Sequence, residues 1–168
     1  MTFFLRGTAF ALVFALAACQ PDAPAPEPAD SGATVVPTST ADGPLVTVYK
    51  SPTCGCCSLW SEHLEAEGFR VENRDVANMG AVKDSLGVPT DLSSCHTATV
   101  EGYVVEGHVP AEVIRQLLAD EPDALGLTVP GMPIGSPGME VGDRVDPYDV
   151  LILDRAGEAS VYASIPGS

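Results

Sequence analysis

Three thiols crowd into four residues, Cys54-Gly55-Cys56-Cys57, directly after the apolar alternation Leu45-Val46-Thr47-Val48-Tyr49. Two thiols separated by two residues at a strand-to-helix junction are the usual seat of disulfide exchange. A third, adjacent thiol is not needed for that chemistry. Clustered thiolates are soft ligands that select Cu(I), zinc or iron–sulfur centres. A helix starting at this run would face the thiols with unpaired backbone N–H groups and the positive end of its dipole, which favours thiolate over thiol. Thiolates serve as nucleophiles and as metal ligands, so the run by itself leaves both chemistries open.

The other donors lie downstream. Cys95 and His96 sit in Ser94-Cys95-His96-Thr97, and His108 sits in Gly107-His108-Val109-Pro110. Alone, Cys95 reads as a small buried hydrophobe and His96 as a polar loop residue. Beside a Cys-x-Cys-Cys run they read as a fourth thiolate ligand and a candidate imidazole ligand, with His108 as a second. Met132 and Met139 occupy a Gly/Pro-rich stretch, Gly131 to Met139. Their thioethers suit Cu(I) as accessory ligands, although two methionines can equally pack a loop onto a core. His63 follows Cys57 by nearly two helical turns, about 9 Å along the axis, and belongs to the surface or an outer shell. The four domain cysteines could instead form two structural disulfides, an awkward arrangement for the neighbours Cys56 and Cys57.

The elements that must position these groups follow from periodicity and breakers. Leu45–Lys50 reads as a strand, Ser51-Pro52-Thr53 breaks it, and a helix begins near Cys54 or Cys56. Leu59, Trp60 and Leu64 form the apolar face of that helix, and Gly68 stops it. Arg70–Val76 reads as a second strand, and Ala81–Leu86 as a short helix ended by Gly87-Val88-Pro89. Thr97–Val100 and Tyr103–Glu106 flank a tight Glu101-Gly102 turn. Pro110 suits the first turn of a third helix, whose core face is Val113, Ile114, Leu117 and Leu118. Residues 121–147, rich in Gly, Pro and Asp, read as a long loop. Val150–Leu153 and Ala159–Ala163 pair across Asp154-Arg155-Ala156-Gly157.

This order predicts an α/β domain of thioredoxin/glutaredoxin-like plan, with a right-handed β–α–β start and an added C-terminal β-hairpin. In folds of that plan the loop before the hairpin lies against the thiol helix and usually carries a cis-proline. Here Cys95-His96-Thr97 stands in that neighbourhood, which argues against ordinary thioredoxin activity and for a metal site.

Residues 1–18 read as an export signal: Arg6 gives a weakly positive start, and the apolar run from Ala9 to Ala18 is too short to span a membrane. Leu16-Ala17-Ala18-Cys19 resembles the lipobox of bacterial lipoproteins, which implies cleavage before Cys19 and lipidation of its sulfur. Gln20 after the cysteine resembles the pattern that directs such proteins to the outer membrane. Residues 19–44, rich in Pro and Ala, form a lipid-anchored tether, and residues 45–168 the folded metal-binding domain. With 8 basic against 23 acidic residues, net −15, the chain is unsuited to nucleic acid or broad contact with anionic lipid. The membrane contact expected is the lipid anchor only.

Together these residues resemble a bacterial family long catalogued as a domain of unknown function, whose best-known type is the periplasmic copper-resistance protein CopG. The likeness rests on Val-Tyr-Lys-Ser-Pro-Thr-Cys-Gly-Cys-Cys (48–57), Ser-Cys-His-Thr (94–97), Glu-Gly-His-Val-Pro (106–110), Val-Pro-Gly-Met-Pro (129–133), Gly-Ser-Pro-Gly-Met-Glu (135–140) and Asp-Pro-Tyr-Asp-Val (146–150). It spans essentially 45–163 and does not include the lipobox or tether. The resemblance implies a thioredoxin-like, exported protein for copper tolerance that holds Cu(I), as a multinuclear thiolate-bridged cluster, through Cys54, Cys56, Cys57 and Cys95. It also implies a part in copper redox conversion, and so a copper-handling or redox partner protein in the periplasm. The competing reading is a thiol–disulfide oxidoreductase that uses Cys54 and Cys57.

Overall fold

The computed structural model describes residues 43–168. The expected signal segment, Cys19 and residues 19–42 of the expected tether lie outside the described residues. The described part is mixed α/β, with three helices and one sheet of seven strands in the order β2-β1-β3-β4-β5-β6-β7.

β1 (Leu45–Lys50) alternates inward and outward, with Val46 and Val48 fully buried. It runs parallel to β2 (Arg70–Asp75) and antiparallel to β3 (Thr97–Val100). Between β1 and β2 lies α1 (Gly55–Ala66), with Cys54 as its N-cap residue. Its buried stripe is Cys57, Trp60, Ser61 and Leu64, the i, i+3, i+4, i+7 spacing of one helical face. Leu59, expected on that face, is exposed: one step of about 100° from Trp60 turns it out of the stripe. Gly68 ends the helix as expected, at φ 88°; its N–H bonds to Glu65 O at 3.0 Å and that of Phe69 to Leu64 O at 3.0 Å. These two bonds form a Schellman motif, and they satisfy carbonyls the helix leaves open.

α2 (Met79–Ser85) starts two residues earlier than its apolar pattern suggests. The Asn78 side chain caps it, accepting from Ala81 N at 3.2 Å. β3 and β4 (Tyr103–Glu106) form the expected hairpin, and Glu101 and Gly102 both take positive φ (46° and 88°), the signature of a type I′ turn. α3 (Ala111–Asp120) follows with Pro110 at its N-cap, and it buries Val113, Ile114 and Leu117 while Leu118 is partly buried.

The stretch 121–147 is not all loop. It contains β5 (Gly126–Thr128), parallel to β4 and antiparallel to β6 (Tyr148–Leu153). Three residues are too few to show a period-2 pattern, so the strand is invisible in the sequence. Gly126 is required there by close approach: a Cβ would stand 1.8 Å from Val104 O. β5 therefore joins the first four strands to β6 and β7 (Ala159–Ile165), which pair antiparallel. The core gathers Val46, Val48, Ala98, Val100, Val105, Leu127 and Val150 from the sheet with Trp60, Leu64, Ile114 and Leu117 from the helices.

Candidate metal centre

The thiols collect where α1 begins. Cys57 is fully buried on the inner stripe, while Cys54 and Cys56 are partly exposed. Cys54 and Cys57 are joined as a disulfide; Cys56 and Cys95 are free, so the expected alternative of two structural disulfides is not what these residues adopt. Cys56 Sγ lies 3.6 Å from Cys54 Sγ, and Cys95 Sγ lies 3.6 Å from Cys57 Sγ. All four sulfurs fall within 4.8 Å of one another. A spacing of that order lets thiolates bridge shared soft ions once the disulfide is opened.

Cys95 reaches the helix on the loop before β3, and a buried carboxylate holds that loop. Glu106, fully buried at the end of β4, accepts from Ser94 N–H at 2.6 Å and from the Thr97 hydroxyl at 2.7 Å. The Lys83 ammonium pairs with the same carboxylate and donates to Thr97 Oγ1 at 3.0 Å. Gly107 N–H donates to His96 O at 3.1 Å, and its φ of 75° and the absence of a side chain let Ser94 and Val129 O close over it.

The hairpin brings both expected histidines to Cys95. His96 Nδ1 is 3.3 Å and His108 Nε2 is 3.1 Å from Cys95 Sγ. His108 Nδ1 lies 2.8 Å from Pro137 O, so that nitrogen carries the proton and donates. The Nε2 lone pair is then left to face Cys95. The His96 ring lies against Trp60, with centroids 4.4 Å apart, and meets the His108 ring edge-on at 5.0 Å. Its Nε2 is buried without a hydrogen-bond partner. Trp60 Nε1 donates to Val109 O at 2.9 Å, which ties α1 to the residue after His108.

The Gly/Pro segment closes over the same corner. Gly138 packs so tightly on α1 that a Cβ would stand 2.7 Å from Cys56 O and 2.8 Å from Trp60 N. Met139 follows it and is partly buried; Met132 is 53% exposed. His63 stands outside both donor groups, its Nε2 accepting from Ala111 N at 3.3 Å. Glu106, Lys83, Thr97 and the Pro137 carbonyl are participants that sequence reasoning missed. The one available signal was a charged residue closing the otherwise apolar segment Tyr103-Val104-Val105-Glu106.

Burial sets the protonation of the site. It pushes the Cys95 thiol up to about 11, with the neighbouring Cys56 adding to the effect. It holds His96 down to about 3, the positive charges of His108 and Lys83 contributing, and it lowers His108 despite the Pro137 bond. Both imidazoles are therefore neutral near pH 7 and offer lone pairs, while Cys95 keeps its proton until a cation displaces it. Because thiolate is the reactive form, a thiol raised to about 11 should alkylate roughly 100-fold more slowly than an ordinary cysteine near pH 8. Iodoacetamide labelling followed by peptide mass spectrometry should show the Cys95 rate still climbing at about pH 10. A rate that has already levelled off near pH 9 would contradict this.

The chain matches, over residues 92–139, the family described as a protein of unknown function, DUF411. It is similar to two solved structures of a copper resistance protein, copG. Form 2 is 50% identical with a TM-score of 0.71, the match covering 74% of this chain and all of that one. Form 1 is 52% identical with a TM-score of 0.70, covering 73% of this chain and 98% of that one. No curated protein matches it in sequence. With 50% identity across the full length of the related chain, and four sulfurs gathered within 4.8 Å of one another at the start of α1, this protein belongs to the CopG family of copper resistance proteins.

Proposed function

We propose that this protein is an exported, lipid-anchored copper-binding protein of thioredoxin-like fold that serves copper tolerance. In its reduced state Cys54, Cys56, Cys57 and Cys95 hold Cu(I) as a thiolate-bridged cluster, with copper as cargo or substrate rather than as a fixed cofactor. The observation that carries the reading is the convergence of four sulfurs within 4.8 Å of one another beside two buried imidazoles. Bridging thiolates let several soft ions share few ligands, and the buried surroundings favour that exchange of solvent for sulfur. The parallel β1–α1–β2 unit with thiols at the helix start, followed by the β3–β4 hairpin, supports the thioredoxin-like assignment. Residues 1–18 as a signal, Cys19 as the lipidated residue and the tether to residue 44 would place the domain in the periplasm at the outer membrane.

Copper redox conversion fits the same residues. Oxidation of the Cys54 and Cys57 thiolates to one disulfide releases two electrons, enough to reduce two Cu(II) to two Cu(I). A periplasmic thiol-donating partner would then reopen the disulfide. Met132 and Met139 are accessory thioethers for copper entering or leaving.

A second reading has its own support. The closed Cys54–Cys57 disulfide is the oxidised state that a thiol–disulfide oxidoreductase would use. One measurement separates the two. The chain, reduced and supplied with Cu(I) without oxygen, is expected to retain more than one copper ion, and Cys56→Ser is expected to lose most of it. No retained copper, together with disulfide exchange that survives Cys56→Ser, would establish the second reading instead.

A further inference from the structure

We propose that β7 is a docking strand, whose free edge takes up an extended, lysine- or arginine-bearing segment of a partner protein as a further strand of the sheet. The proposal is independent of the metal centre. The sheet ends in β2 on one side and in β7 on the other, and the two edges differ. β2 carries four charged residues in six, Arg70, Glu72, Arg74 and Asp75, the usual protection of an open edge against further pairing. β7, Ala-Ser-Val-Tyr-Ala-Ser-Ile, has neither a charge nor a proline. Val161, within it, is 58% exposed.

An edge strand turns the N–H and C=O groups of alternate residues away from its sheet. Among the described residues, the β7 backbone hydrogen-bonds only to β6. The register shift at Val150/Leu151 skips Tyr162 and divides the edge into Ala159–Val161 and Ala163–Ile165. A groove lies beside each half. Asp123, Asp154, Glu158 and Ala159 line the first, and Pro147, Tyr148, Asp149 and Ile165 line the second. Strand addition uses this combination: main-chain bonds supply the affinity, and pockets beside the strand read the side chains.

Charge decides the occupant. Glu158 is exposed and enters no ion pair among the described residues. Asp149 is exposed in the second groove, and Asp120 lies beside the middle of the strand. They accept from the Ser164 and Tyr162 hydroxyls, at 2.6 Å each, and these neutral donors leave both carboxylates uncompensated. Arg155 is engaged by Asp123, 3.1 Å away. A second copy would bring the same carboxylates, and a net charge of −15, against this edge, so like charges oppose self-pairing. A segment with a basic side chain near each end meets opposite charge in both grooves. From its first residue to its last, β7 spans about 20 Å, which places those two side chains about six positions apart.

The test uses the full chain with Cys19→Ser, isotope-labelled for NMR, and an end-blocked Lys-Thr-Val-Thr-Val-Thr-Lys peptide at low salt. The expected result is a set of saturable amide shifts confined to β7 and the two grooves, shrinking as added salt screens the contact. The same peptide with glutamate at both ends should shift these amides little. Glu158→Lys reverses the charge of the first groove at an exposed position and keeps the turn's backbone bonds. It should weaken binding of the lysine peptide by about 5-fold and strengthen that of the glutamate peptide. Absence of β7 shifts at millimolar lysine peptide, or equal shifts with both peptides, overturns the proposal. A concentration-dependent change of the β7 amides without any peptide also overturns it, by assigning the edge to a second copy.

Discussion

Glu106→Gln is expected to lower the unfolding free energy by about 3 kcal/mol, because it leaves a largely buried ammonium without its counter-charge. Glu106 is fully buried, and the Lys83 side chain is only 13% exposed, so solvent screens the pair little. The amide keeps the volume and one acceptor for Ser94 N–H. It also turns an NH2 group toward a Thr97 hydroxyl or a Lys83 ammonium that needs an acceptor. Urea unfolding should report a lower midpoint with an unchanged slope. The consequence for the site follows from geometry. Ser94 is fastened by this carboxylate and Cys95 is the next residue, so Cu(I) affinity should fall roughly 10- to 100-fold even though no ligand is altered. Pairing the change with Lys83→Met removes the orphaned charge and should restore much of the stability. A single-variant loss below about 1 kcal/mol would show that the pair contributes little, as exposed pairs do.

Cys95→Ser is expected to be the most damaging single change to metal handling. Cys95 is the one residue common to both donor groups, and it is the thiol supplied from outside the α1 run. A hydroxyl is a poor ligand for a soft ion, and the other three sulfurs share one helix end and cannot enclose the cluster from the far side. Competition with a Cu(I) chelator should show a loss well beyond ~100-fold, more than an outer-shell change produces. The fold should hardly respond, since serine is close to cysteine in size and Cys95 is only partly buried. Retention of most of the copper by Cys95→Ser would mean that the binding site is confined to the start of α1, and the proposed cluster would fall with it.

Much of the local structure was legible because it rests on short-range rules. The Glu101-Gly102 turn dictates the β3–β4 hairpin, since both residues must take positive φ and the flanking segments are β-rich. Gly68 dictates the end of α1 for the same kind of reason. What escaped was set by neighbours distant in sequence. β5 is three residues long and exists because β4 and β6 bond to its two edges. Leu59 looked like a core residue by type, but the stripe was decided by Cys57 and Ser61, a thiol and a hydroxyl that helical spacing places beside Trp60. The cap at Asn78 is a local signal of the opposite kind: its side chain accepts from Ala81 N and moves the start of α2 ahead of the apolar pattern.

The sequence alone determined the chemistry of this protein: the thiol-rich start of α1, the later Cys95-His96 and His108, and the membership that these motifs share with CopG proteins. Residue type and spacing suffice for that, because soft ligands and helix starts are local properties. Only the tertiary structure decided that Cys95 closes on Cys57, that His108 turns its free nitrogen toward the same sulfur, and that Glu106 holds the loop between them. Those relations cross strand pairings and a buried ion pair, and their separations in the chain, 38 residues for Cys57 to Cys95, carry no periodic signal. Tertiary contacts set them.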